Sequence, residues 1–155
     1  MIEGIIITPL KQIVDERGKI MHMLRRDSNV FKSFGEIYFS TVNPKFIKAW
    51  HKHKEATLNY ACIKGKVKFV LFDDRKGSKT FGKIQEMYLS PDNYFLVTIP
   101  PNIWNGFKGM GSSESIIANC ITSPHNENEM IRKDPFDKNF SYKWDSSYKI
   151  YTLKK

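Results

Sequence analysis

The chain has 155 residues and a mass of 18.1 kDa, room for one domain around one buried core, which excludes a multidomain assembly. With 41% hydrophobic and 26% charged residues it can bury enough apolar surface to offset its ordering entropy, which excludes wholesale disorder. Its 25 Lys and Arg against 16 Asp and Glu leave a net charge of +9 without any long basic run, so the excess favours a small anionic metabolite over a nucleic acid.

Short apolar runs recur between turn residues, the signature of strands. Residues 5–8 form the first and 19–24 the second. Residues 27–34 are the only stretch that reads as a helix, with Asp27 or Ser28 placed to cap its first turn. Strands are then predicted over 36–42, 46–51, 57–64 and 66–72, the last two joined as a tight hairpin through Gly65, which accepts positive φ. Asp73-Asp74-Arg75-Lys76-Gly77-Ser78 is a turn of side chains that bond their own backbone, and strands over 83–89, 94–99, 103–108 and 115–121 follow. Beyond Pro124 the periodicity fades into an irregular wrap over the core with room for a short helix. Ten short strands in a single domain predict an all-β sandwich or barrel.

Cys62 and Cys120 sit inside apolar runs and read as small buried thiols, not a disulfide framework. No apolar stretch is long enough to span a bilayer and the N-terminus lacks a signal-peptide pattern, so a cytoplasmic protein without a membrane partner is expected.

The most informative pattern is His51-Lys52-His53. Alternate strand residues share a face, so the two imidazoles point into one space while Trp50 and Lys52 point away. Such a pair suits a metal site, a tuned base, or two ordinary polar residues on a strand.

His51-x-His53 followed by Glu55, Gly65 and then Ile99-Pro100-Pro101-Asn102-Ile103-Trp104-Asn105-Gly106-Phe107 resembles the two half-motifs of the cupin superfamily. The order of Asp15-Glu16-Arg17-Gly18, Lys48-Ala49-Trp50-His51, the turn from Asp73 through Gly82, Leu89-Ser90, Ile99-Pro100-Pro101, Gly106-Phe107 and Asp134-Pro135 resembles the dTDP-4-dehydrorhamnose 3,5-epimerase family over residues 3–145. The resemblance implies one all-β cupin domain over residues 1–155, a double-stranded β-helix or jelly-roll barrel. It also implies a nucleoside-diphosphate 4-keto-6-deoxy sugar as ligand, a place in surface-polysaccharide (O-antigen) biosynthesis, and a homodimer in which Ile5-Ile6-Ile7 joins the partner's sheet.

In that family a histidine takes the proton from the carbon beside the ketone, and His51 holds its position. Lys48 stands where an arginine contacts the diphosphate, a point charge without a bidentate fork. The family's acid is a tyrosine just ahead of a Ser-Pro pair, whereas Ile121-Thr122-Ser123-Pro124-His125 contains none. His125 is therefore the expected acid, with Tyr60 and Tyr38 as alternatives on strands that line the barrel, and Asp73 or Asp145 is expected to orient the base. Arg17 and Lys48 are expected to hold the diphosphate, and His53, Tyr60 and Asn105 to line the sugar pocket. Asn105 replaces the usual histidine of the second half-motif, so neither a metal nor another cofactor is expected.

A hydrogen beside a ketone is acidic because the enolate spreads its charge onto oxygen, so the reaction needs a base and a donor facing that oxygen. Three activities fit these residues: inversion at carbon 3, carbon 5 or both; a ketoisomerase that moves the carbonyl between carbons 3 and 4, with His51 and His53 as shuttle; or a non-catalytic cupin that binds the sugar nucleotide.

Overall fold

The computed structural model describes residues 1–144. These form β1 (Ile6–Pro9), β2 (Gln12–Asp15), β3 (Gly18–Met21), β4 (Glu36–Val42), β5 (Ile47–His53) and β6 (Leu58–Lys64). The second half adds β7 (Val67–Asp73), β8 (Ile84–Leu89), β9 (Phe95–Ile99), β10 (Ile103–Gly109), β11 (Ser115–Ile121) and β12 (Met130–Arg132). One five-stranded sheet runs β1-β9-β6-β11-β4, a second runs β12-β5-β10-β7-β8, and β2 with β3 makes a separate ribbon. All the strand pairings within these sheets are antiparallel. The large sheets face each other as a jelly-roll sandwich and do not close into the expected barrel.

Alternation along the strands builds the interior. Leu58, Tyr60 and Cys62 of β6 meet Phe69 and Leu71 of β7, Ile103 and Phe107 of β10, and Ile117 and Ile121 of β11. The outer faces are also covered: Trp50, Val70 and Trp104 lie beneath Phe140 and Trp144 of the C-terminal segment, with the Trp50 and Phe140 rings stacked at 4.7 Å. On the other sheet, Ala61 and Leu96 pack against Leu10, Met21, Met23 and Val30. Central strands buried on both faces explain the near-continuous apolar runs in the sequence.

Several expectations change. Residues 27–30 form turns and 31–34 are irregular, with no helix. The Asp27 carboxylate accepts from the Arg25 guanidinium at 2.7 and 2.6 Å and Ser28 Oγ accepts the Arg25 amide at 3.2 Å, so neither caps the amides ahead of it. Gly65 does take φ 74°, but β6 and β7 leave it into different sheets, so the link is a corner and not a ladder hairpin. Ser115 Oγ holds that corner by accepting from the Lys66 amide at 3.0 Å. β1 pairs with β9 of its own chain at the edge of its sheet, with Ile5 in the core. Neither β2 nor β12 was anticipated. Among the described residues no helix is long and apolar enough to cross a membrane.

Candidate active site

The site is built on the pairing of β5 with β10, where the register slips. Asn105 lies opposite His51 and Phe107 opposite Lys48, so Ala49 and Trp50 together face Gly106. This bulge puts Lys48 and His51, three positions apart, on the same inward face. Gly106 is required by the close approach, since a Cβ there would lie 2.3 Å from that of Ala49. His53 follows on the same face at strand spacing, while Lys52 points outward to bond Asp74 at 2.8 Å and cover the Trp104 ring at 4.6 Å.

His51 is partly exposed and packs edge-on to Phe107, with ring centroids 6.5 Å apart. Among the described residues nothing hydrogen-bonds to its ring nitrogens. Burial, reinforced by the charges of Arg132, His53 and Lys48, lowers its pKa to about 4. Arg132 is the direct cross-strand partner of His51 on β12 and forms no ion pair among the described residues. Lys48 reaches across to the other sheet, where its Nζ donates to Ser40 Oγ at 2.7 Å and to the Thr41 carbonyl at 3.2 Å. Burial and the nearby Arg132 lower its pKa.

Asn105 is fully buried. Its Nδ2 donates to the His51 carbonyl at 3.0 Å, and its Oδ1 has no hydrogen-bond partner among the described residues. His53 bonds Glu129 through Nδ1, and the other Glu129 oxygen accepts the amides of Glu55 at 2.8 Å and Ala56 at 2.9 Å. Burial pushes the Glu129 carboxyl up, but these amides and His53 outweigh it and hold the group below its ordinary value.

The facing sheet contributes Tyr38 and Ser40 of β4, Tyr60 of β6 and Asn119 of β11. Asn119 Oδ1 accepts the Asn59 amide at 3.0 Å, which fixes the side-chain amide so that Nδ2 donates to the Tyr38 hydroxyl at 2.8 Å. Tyr60, buried among the core side chains, is hydrogen-bonded to Tyr38, and burial with that neighbour raises its pKa well above the ordinary value.

The structure therefore brings together His51, Lys48, His53, Asn105 and Tyr60, and leaves three of the expected residues outside. Asp73 is fully buried, but its carboxylate accepts Arg75 Nε at 2.9 Å, Ser78 Oγ at 2.7 Å and Thr80 Oγ1 at 2.7 Å, so it anchors a turn rather than orienting His51. Burial pushes that carboxyl up, yet Arg75, Thr80 and Ser78 prevail and hold it far below the carboxylate range. His125 is exposed in the loop after β11, beside Ser123, Pro124 and Glu127. Arg17 sits at the tip of the β2–β3 ribbon with its guanidinium 2.6 Å from Asp15. Asp145 lies outside the described residues.

Asn119, Glu129 and Arg132 were missed by sequence reasoning. Asn119 had a signal, a polar residue on the inward beat between Ile117 and Ile121. Glu129 and Arg132 had none, because β12 is three residues long. Among the described residues no group of three or more His, Cys, Asp or Glu is placed to hold a metal ion.

A jelly-roll sandwich with a His-x-His segment on one inner strand and the second half-motif on its neighbour is a cupin. A structure described as a dTDP sugar isomerase from Desulfovibrio desulfuricans G20 is 40% identical, with a TM-score of 0.90 and 92% of each chain covered. The probable low-salt glycan biosynthesis epimerase Agl13 of Haloferax volcanii is 28% identical over 88% of this chain and 89% of its own. The spore coat polysaccharide biosynthesis protein SpsL of Bacillus subtilis is 28% identical over 96% of this chain and 100% of its own. The chain belongs to the dTDP-4-dehydrorhamnose 3,5-epimerase family, whose profile matches residues 1–154. Membership makes it an enzyme of the isomerase class with a nucleotide-sugar epimerase role.

Proposed function

We propose that the protein inverts carbon 3, carbon 5 or both of a nucleoside-diphosphate 4-keto-6-deoxyhexose, with His51 as the base. The observation that carries this reading is an imidazole on the inner wall, without a hydrogen bond to its ring among the described residues, flanked by the cations Lys48 and Arg132. These two cations suit a diphosphate, which brings about two negative charges. Bound there, it would cancel the repulsion that disfavours the imidazolium and so strengthen His51 as a base when substrate is present. Asn105, which donates to the His51 carbonyl, holds the base's backbone in place. Thymidine is the first nucleobase to try, given the description of the 40% identical structure. A product destined for surface-glycan assembly is supported by the glycan and polysaccharide biosynthesis relatives, and the family resemblance adds a cytoplasmic homodimer to the reading.

The test is incubation with a dTDP-4-keto-6-deoxy sugar in heavy water. Deuterium entering carbon 3 or carbon 5 with the ketone in place is expected. A relocated ketone would mean the 3,4-ketoisomerase instead, and nucleotide binding without any exchange a non-catalytic cupin. His51→Asn should lose exchange and keep nucleotide affinity.

A further inference from the structure

Inversion needs a proton delivered to the face of the enolate opposite the base, and that donor must stand on the wall facing β5. That wall is the β4, β6 and β11 face, which Lys48 reaches from β5 through its bond to Ser40. His125 is exposed on a loop, and Tyr60 is 2% exposed with its hydroxyl hydrogen-bonded to that of Tyr38. Tyr38 is 37% exposed and lies two positions from Ser40, the residue that takes the Lys48 ammonium across the gap at 2.7 Å. Counted away from the link between β4 and β5, Tyr38 lies two positions beyond Ser40 and His51 three beyond Lys48, which puts the two on facing walls at the same end of the sandwich.

The geometry points to Tyr38, on the edge strand β4, as the acid that returns a proton to the sugar, with Asn119 and Tyr60 as positioning residues that stabilise the phenolate it becomes. The inference rests on the epimerase reading above. In the first step the C–H bond beside the ketone breaks, its proton goes to a His51 ring nitrogen and its electron pair to the ketone oxygen. In the second, the enolate carbon takes the Tyr38 hydroxyl proton on the opposite face and the C=O bond re-forms. The phenolate then holds hydrogen bonds from Asn119 Nδ2 and the Tyr60 hydroxyl until solvent reprotonates it, while the His51 imidazolium loses its proton to solvent. No redox partner is needed.

Tyr38→Phe separates the two steps. Base-catalysed exchange in heavy water should continue within a few-fold, because His51 can return a solvent deuteron to the face it deprotonated, while net inversion should fall about 100-fold or more. Inversion within about tenfold of the parent would overturn the assignment and leave the epimerase reading intact. Loss of both exchange and inversion with nucleotide binding retained would also overturn it, since Tyr38 would then act in enolate formation. Absence of exchange in the parent enzyme would sink the epimerase reading itself. Asn119→Asp gives a second test should Tyr38→Phe not fold: it keeps the acceptor for the Asn59 amide, replaces the donor to Tyr38, and should lower inversion relative to exchange. An unchanged ratio would count against the assignment.

Discussion

Two polar regions lie at the same end of one sheet, on either side of β10, and they are solved in opposite ways. At the end of β7 the Asp73 carboxylate meets Arg75, Ser78 and Thr80, and the Arg75 amide completes the set at 3.1 Å. On the inner face of β5, among the described residues, His51 has no hydrogen bond to its ring, Asn105 Oδ1 has no partner, and Lys48 and Arg132 form no ion pair. A buried polar group with every bond made holds the chain in place. Groups left short of partners and set beside like charges are groups prepared for something that is not protein.

That contrast can be attacked from either side. The largest effect is expected at His51: His51→Asn should lower turnover by about 10²- to 10⁴-fold, the usual contribution of a general base, with the melting temperature nearly unchanged. Asp73→Ala should do the reverse, removing about 3 kcal/mol of stability in denaturant melts by leaving Arg75 without its buried partner, while kcat of the folded fraction holds. A variant of Asp73 that folded normally and lost turnover would erase the distinction.

Gly106→Ala, whose Cβ would lie 2.3 Å from that of Ala49, should cost about 1–3 kcal/mol and also raise KM, since the bulge it crowds aligns Lys48 with His51. Arg132→Met should raise KM about fivefold, the loss of one partly exposed charge contact, and shift the acid limb of kcat/KM upward. The sign follows from His51. Its folded pKa of about 4 lies below its ordinary 6.5, so the unfolded chain binds more protons between these values. The fold's stability from that group is complete above 6.5 and declines as the pH falls towards 4, and removing Arg132 weakens the effect. The smallest change is expected for His125→Ala, which should leave kcat and KM within about twofold, as for other exposed loop positions.

Much of the fold was legible in the sequence because the central strands bury both faces. Val67, Phe69 and Leu71 could hardly be read otherwise, and His51 with His53 followed from strand alternation. What escaped was set by pairings far apart in the chain. Nothing near Arg132 announces that it will lie beside His51, whereas the partners that absorb Asp73 lie within seven positions of it, in a turn the sequence did announce. The apparent helix over 27–34 failed because a short segment is marginal on its own and the Arg25 side chain claims Asp27. Tyr38 was readable as an inward residue, but its pairing with Asn119 depends on the register of β4 against β11.

The brief strand β12 also bears on how the enzyme matures. It carries Glu129 at its threshold and Arg132 at its end, and 76 positions separate Glu129 from His53. During synthesis the ribosome releases the other nine strands of the two large sheets and the ribbon before this one, so the apolar interior can condense while the histidine wall still lacks its carboxylate and one of its cations. The histidine wall is thus complete only once this late segment docks.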